Sequence, residues 1–327
     1  MDSPRRRNSP PKSVSDSPER ALEYYKSRGR DYAYQKLEAA IRTMADEITT
    51  PAASKVGMKP KALRRLISVS LFRISEVNGF TKFTKRHRIE VGINAGLLLF
   101  LHRFTQLLIL RLGIRKEGIV VEEPKHPSWD ESVADARVLM NAFWDDTLDE
   151  LPPQSSVTDL RREQLLFAAS LLHCAELSVV AHEFGHIIIG LSPSPPSEIA
   201  EAMALLHDAQ RAGKLSGPGI AVNVIPSNWA KEIACDLIGL QLLLSTEASV
   251  EGKMIAYASS VFVLAVMSNL ELLGLLHRGD EIGSSTHPPT WVRVMALDAI
   301  TRQGNSPIAL SIADTLRRVL GELLQAA

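Results

Sequence analysis

The chain has 327 residues, 45% of them apolar and 23% charged, which suits one or two folded domains and excludes a wholly disordered or collagen-like chain. Lys and Arg number 37 against 37 Asp and Glu, so no net field draws the protein to nucleic acid, and no nucleic-acid partner is expected. With two cysteines, Cys174 and Cys235, the chain lacks the disulfide framework of a small secreted domain, and a reducing, cytoplasmic setting is expected.

Residues 1–18 are rich in Pro, Ser and Arg and predict a disordered, solvated tail; no apolar stretch follows Arg5, Arg6 and Arg7, so no secretory signal is expected. Stretches 21–47 and 59–77 carry apolar residues at three- and four-residue spacings and predict two helices, with Pro51 and Pro60 marking the gap between them. Residues 88–94 alternate and 118–121 form a short branched run, the two best strand candidates. The Leu-rich stretch 95–113 carries His102, Arg103 and Arg111, which are expensive in a bilayer, so it reads as a buried helix with His102 and Arg103 at its wet edge.

Ser128 caps a helix predicted to run to 149, before Pro152 and Pro153. From 158 to 190 the pattern is helical without a break, with Asp159 and Glu163 in the first turn and Gly190 as the stop. Helices are predicted at 198–212, 227–244, 251–278, 288–303 and 307–325, and a Gly/Pro-broken loop with room for a short strand at 213–227. The stretch 254–276 has the length of a membrane span, but Ser259, Ser260, Ser268, Asn269 and Glu271 interrupt it, so membrane association is the second choice.

Near the end of the long helix stands His182-Glu183-Phe184-Gly185-His186, the pattern H-E-x-x-H. Positions four apart share a helix face, so both imidazoles can offer a ring nitrogen to one zinc ion, with Glu183 beside them as general base. The flanks Val179, Val180, Ile187 and Ile188 predict a buried helix, and two buried His and a Glu need a partner, for which a metal is the simplest choice. A third ligand is offered by Glu232, 46 residues after His186, and one turn on Asp236 can accept the free N–H of a ligating His. In Ser285-Thr286-His287-Pro288-Pro289, His287 precedes a Pro-started helix and can support an oxyanion; it can equally cap that helix, while Arg293 can pair with an acid. Cys174 and Cys235 read as small buried hydrophobes, and His173 and His207 are given no role.

Together these elements resemble the gluzincin metallopeptidases of the HtpX-like and CAAX prenyl protease type, in which H-E-x-x-H is followed by E-x-x-x-D and by an S-T-H-P segment with a later Arg. The resemblance runs from the long helix to Arg293. It implies a mainly α fold: a zincin-like metallopeptidase domain, residues 126–327, with a long active-site helix and a small β ribbon. A helical amino-terminal region with short strands, 19–125, precedes it. It also implies one zinc per chain on His182, His186 and Glu232, catalysis by Glu183 with His287, support from Asp236 and Arg293, and a peptide or protein substrate. Two alternatives stay open: a repressor-cleaving, ImmA-like protease, and a non-catalytic helical protein whose zinc, closed by His287 as fourth ligand, only staples helices together.

Overall fold

A computed structural model describes residues 34–73, 79–114, 120–122, 129–151, 161–217, 220–221, 225–278, 287–301 and 307–326. The expected tail at 1–18 lies outside them, as do the first residues of the helix predicted at 21–47, the capping Ser128, and Ser284, Ser285 and Thr286.

The fold is mainly α with a small three-stranded sheet. The helices are α1 (Tyr34–Lys55), α2 (Pro60–Leu66), α3 (Ala95–Leu108), α4 (Trp129–Trp144), α5 (Arg162–Leu191), α6 (Ser197–Arg211), α7 (Ser227–Thr246), α8 (Val250–Arg278), α9 (Thr290–Thr301) and α10 (Pro307–Ala326). Strands β1 (Ile67–Phe72), β2 (Phe80–Phe83) and β3 (Ile89–Asn94) form the sheet in the order β1-β3-β2, with β1 parallel and β2 antiparallel to β3. Two short ribbons, β4 (Leu112–Ile114) with β5 (Val120–Glu122) and β6 (Ser216–Gly217) with β7 (Ile220–Ala221), and two 3-10 turns, Ile109–Arg111 and Leu148–Glu150, complete the described elements.

Three expectations about element bounds are corrected. The helix predicted over 59–77 ends at Leu66, because Ile67-Ser68-Val69-Ser70-Leu71-Phe72 alternates buried and exposed, the period of a strand rather than of a helix. Pro51 does not end α1 but lies inside it, and Ala52 and Ala53 behind it are fully buried, so packing outweighs the backbone hydrogen bond that proline removes. Nor does Gly190 stop α5: the helix runs to Leu191, and the missing side chain at Gly190 makes room for the Phe83 ring of β2.

Helix α5 is the axis of the molecule. It is apolar all round, the signature of a helix buried on every side. Its first half, from Phe167 to Ala175, packs into a core shared with α3, α4, α7, α8, α9 and α10. Its second half, from Cys174 to Ile188, packs with α1, β1, β3 and α7. Each fully buried Leu, Ile or Phe here contributes about 1.5–3 kcal/mol. The residues before 125 therefore share their apolar packing with α5 and α7, and they hold the sheet against the part of α5 that carries H-E-x-x-H.

Helix α3 is buried throughout, at 14 residues too short to span a bilayer. His102 and Arg103 are buried rather than at a wet edge, and Arg103 donates to the Leu151 carbonyl at 2.7 Å. Arg111 is buried beside Glu322 of α10. By length and composition, Arg162–Leu191 and Val250–Leu275 are long and apolar enough to cross a membrane, and 67% of the apolar window in each is buried within the protein.

Candidate metal centre

The centre forms where α5 and α7 cross in backbone contact. A side chain on Gly185 would stand 2.7 Å from Cys235 Cα, and one on Gly239 3.0 Å from the His182 nitrogen, so these two glycines let the helices touch. The close crossing lays Glu232 of α7 across both imidazoles of α5. Glu232 Oε2 lies 3.5 Å from His182 Nε2, and Oε1 lies 3.7 Å from His186 Nε2. The rings stand nearly perpendicular, 86° apart.

The opposite nitrogens are both engaged. His182 Nδ1 donates to Asp236 Oδ1 at 2.8 Å, and His186 Nδ1 faces Cys235 Sγ at 3.3 Å. When both rings are neutral with the proton on Nδ1, both Nε2 lone pairs point at the space in front of Glu232. Arg293 of α9 grips Asp236 with two bonds, Nε to Oδ2 at 2.8 Å and Nη2 to Oδ1 at 2.7 Å. The partner acid expected for Arg293 is thus the residue that orients His182. His287, just before α9, brings Nε2 to 3.7 Å from Glu232 Oε1, with 44% of its side chain exposed to the cleft.

Glu183 is buried under the sheet. Thr81 Oγ1 of β2 contacts its Oε2 at 2.8 Å and its carbonyl oxygen at 3.1 Å. A side chain on Gly79 would fall 2.6 Å from Glu183 Oε1, so only glycine fits there. Sequence reasoning missed Thr81 and Gly79, which lie about a hundred positions away with no local signal. Cys235 is buried, as expected, and in addition faces His186 Nδ1, a contact that the shared helix face of positions 232, 235 and 236 could have signalled.

The charges are strongly coupled. Burial pushes the His182 imidazole down, but the Asp236 carboxylate overrides it and holds the ring up at about 9. His186 is held down at about 4 by burial and by the neighbouring His182 charge. Burial raises the Glu232 carboxyl, yet the hydrogen bond and charge of His182 bring it down to about 2. Asp236 is likewise held well below the usual carboxylate range despite its burial, by Arg293 and then His182. Burial raises Glu183, against the lowering pull of His182 and Thr81.

His182, Glu183 and His186 form a group able to hold a metal ion, their ligand atoms all within 4.8 Å of one another. Glu232 Oε2 is buried and faces His182 Nε2 at 3.5 Å, a long contact that leaves the oxygen able to receive a cation. The cluster lies in a cavity that opens to solvent and is lined also by Leu97, Leu240, Val263, Leu264 and Met267. Comparison of this chain with protein-family models, with curated proteins and with solved structures gives no match.

Proposed function

We propose that the chain is a zinc-dependent metallopeptidase of the gluzincin type, with a zincin-like core, that cuts peptide bonds in peptide or protein substrates. The observation that carries this reading is the convergence of His182 Nε2, His186 Nε2 and both Glu232 oxygens, at 3.5–3.7 Å, with the far nitrogen of each ring already engaged. Bonds of about 2.1 Å arranged tetrahedrally need donors about 3.4 Å apart, close to what these residues offer. Two imidazoles and one carboxylate are the donor set of a catalytic zinc. Glu232 rather than Glu183 is the better third ligand, since Thr81 already engages one oxygen of Glu183.

When bound, one zinc per chain polarises a carbonyl and acidifies water. The chain's own residues do the rest. Glu183, raised by burial, takes a proton at its carboxylate and passes it to the leaving amine. His287 donates Nε2–H to the oxygen that becomes negative. Asp236, fixed by Arg293, keeps the His182 ring in the tautomer that leaves Nε2 free. Strand β2 is the edge of its sheet and lies over the base, so an extended peptide has a backbone to pair with.

One observation favours the second reading, a closed structural zinc: His287 Nε2 is as near Glu232 Oε1 as His186 Nε2 is, 3.7 Å in both cases. Metal content of the purified protein, beside Glu232→Ala and His287→Ala, separates the two. One zinc lost with Glu232→Ala but kept with His287→Ala, together with hydrolysis of labelled casein, supports the peptidase. Zinc lost with His287→Ala and no hydrolysis supports the staple, and no zinc after reconstitution overturns both.

A further inference from the structure

The polar residues that interrupt the apolar helix α8 do not all behave alike. Ser260 and Asn269 bond back to carbonyls of their own helix, Ala256 at 3.1 Å and Ala265 at 2.8 Å, and Ser259 bonds to the Leu171 carbonyl of α5 at 3.2 Å. These bonds satisfy a hydroxyl or amide inside a packed core and imply nothing more. Glu271 is different. Its carboxylate leaves α8 and takes both donors of Thr290, the backbone N–H on Oε2 at 2.8 Å and the hydroxyl on Oε1 at 2.5 Å.

The place of that double bond matters more than its strength. Thr290 opens α9, and Pro288 and Pro289 before it have no N–H, so the Thr290 N–H is the first backbone donor the helix presents. A carboxylate at this end also meets the positive pole of the helix. Between the anchor and His287 stand only the two prolines, each with φ fixed by its ring, and both are buried. Wherever Glu271 pins Thr290, the stiff Pro-Pro step carries His287 with it. One turn further along α9, Arg293 is pinned to Asp236, so the segment bearing His287 is fixed at two points.

We propose that Glu271 is a positioning residue: through Thr290 and the Pro288-Pro289 step it holds the His287 imidazole over the Glu232 carboxylate. The inference rests on the peptidase reading for its consequence, since His287 then faces the reacting carbonyl, but the mechanical link stands apart from it. An acid in an apolar helix is costly unless it is partnered, and here its partner is Thr290, three positions after His287.

The test uses full-length, histidine-labelled protein carrying Glu271→Gln, whose amide keeps one acceptor and loses the other. Ring resonances are followed by NMR in the metal-free protein, His287 being assigned by its loss in His287→Phe. The expected result is that Glu271→Gln moves the His287 resonance to the position of a freely exposed histidine and leaves those of His182 and His186 in place; an unmoved His287 overturns the proposal. In the zinc-loaded protein, Glu271→Gln is expected to lower turnover of labelled casein about tenfold with KM unchanged, and to lower it no further in the His287→Phe background. Equal losses in both backgrounds would mean that Glu271 acts on stability alone. If wild type cuts no casein, the peptidase reading fails while the NMR arm still decides the link. Should Glu271→Gln fail to fold, Thr290→Val removes only the hydroxyl bond and is expected to move His287 in the same direction.

Discussion

Thr81 Oγ1 donates a 2.8 Å hydrogen bond to Glu183 Oε2, so an edge strand holds one oxygen of the carboxylate proposed as base. Glu183→Gln keeps the size of the side chain and removes its basicity. It is expected to retain metal and lose peptidase activity by about 10³-fold, the scale of general-base catalysis, as measured by casein hydrolysis beside elemental analysis. A fully active Glu183→Gln protein would sink the mechanism. Thr81→Val is expected to lower turnover and Thr81→Ser to restore it, because only the hydroxyl is at issue.

Asp236 and Arg293 are both buried and joined by two hydrogen bonds, while Asp236 also takes the His182 Nδ1 proton. Asp236→Asn leaves the Arg293 charge buried without its counter-charge, a loss on the order of 3–5 kcal/mol when a buried pair is broken. The same change frees the His182 ring, and zinc affinity is expected to fall by about 10–100-fold. Chelator competition and urea denaturation read the two effects separately. Unchanged affinity would mean that His182 is not a ligand.

His182 is held up at about 9 and His186 down at about 4, so near neutral pH the metal-free centre carries a charged His182 beside a neutral His186. A metal must displace the His182 Nε2 proton. Titration calorimetry in buffers of different ionisation enthalpy is therefore expected to show about one proton released per zinc at about pH 7, falling toward none as pH rises past about 9. In the metal-free protein the raised His182 value contributes stability that is fully present below about 6.5 and is lost as pH rises through about 9. Zinc uptake with no proton release at neutral pH would place the ion elsewhere.

The long helix with H-E-x-x-H and the later helix with its acidic pair were legible because each motif depends on spacing within one element: His186 stands four positions after His182, and Asp236 four after Glu232. What joins them was not. The crossing of α5 and α7 turns on Gly185 and Gly239, and a glycine reports close approach only when the facing chain is known. β1 was misread because Leu63, Leu66 and Ile67 keep a helical spacing into the first residue of a strand. β2 has four residues, too few for any period to declare itself, and yet Thr81 within it reaches Glu183. Glu271 was visible only as a flaw in an apolar run, since its partner Thr290 lies on another helix.

A second group of buried charges lies away from the metal centre, where His173 Nε2 of α5 stands 3.7 Å from Glu47 Oε2 of α1. Burial, and then the nearby charge of Glu247, push the Glu47 carboxyl up to about 7. An acid raised in the folded state binds its proton more tightly there than in the unfolded chain. Between about 4.5 and 7 the folded state then holds more protons, so stability falls as pH rises through that window. Glu47 keeps only 16% of its side chain exposed, and the loss is on the order of 2–3 kcal/mol. Urea denaturation of the chelator-treated protein is expected to show that wild type loses more stability, or gains less, than Glu47→Gln between about pH 5 and about pH 7, a comparison in which the titrations of His182, His186 and Glu232, common to both proteins, cancel. Glu47→Gln carries no proton to lose, so it is expected to gain stability relative to wild type at the higher pH. The same change between the two pH values in wild type and in Glu47→Gln would overturn the assignment of the proton to Glu47.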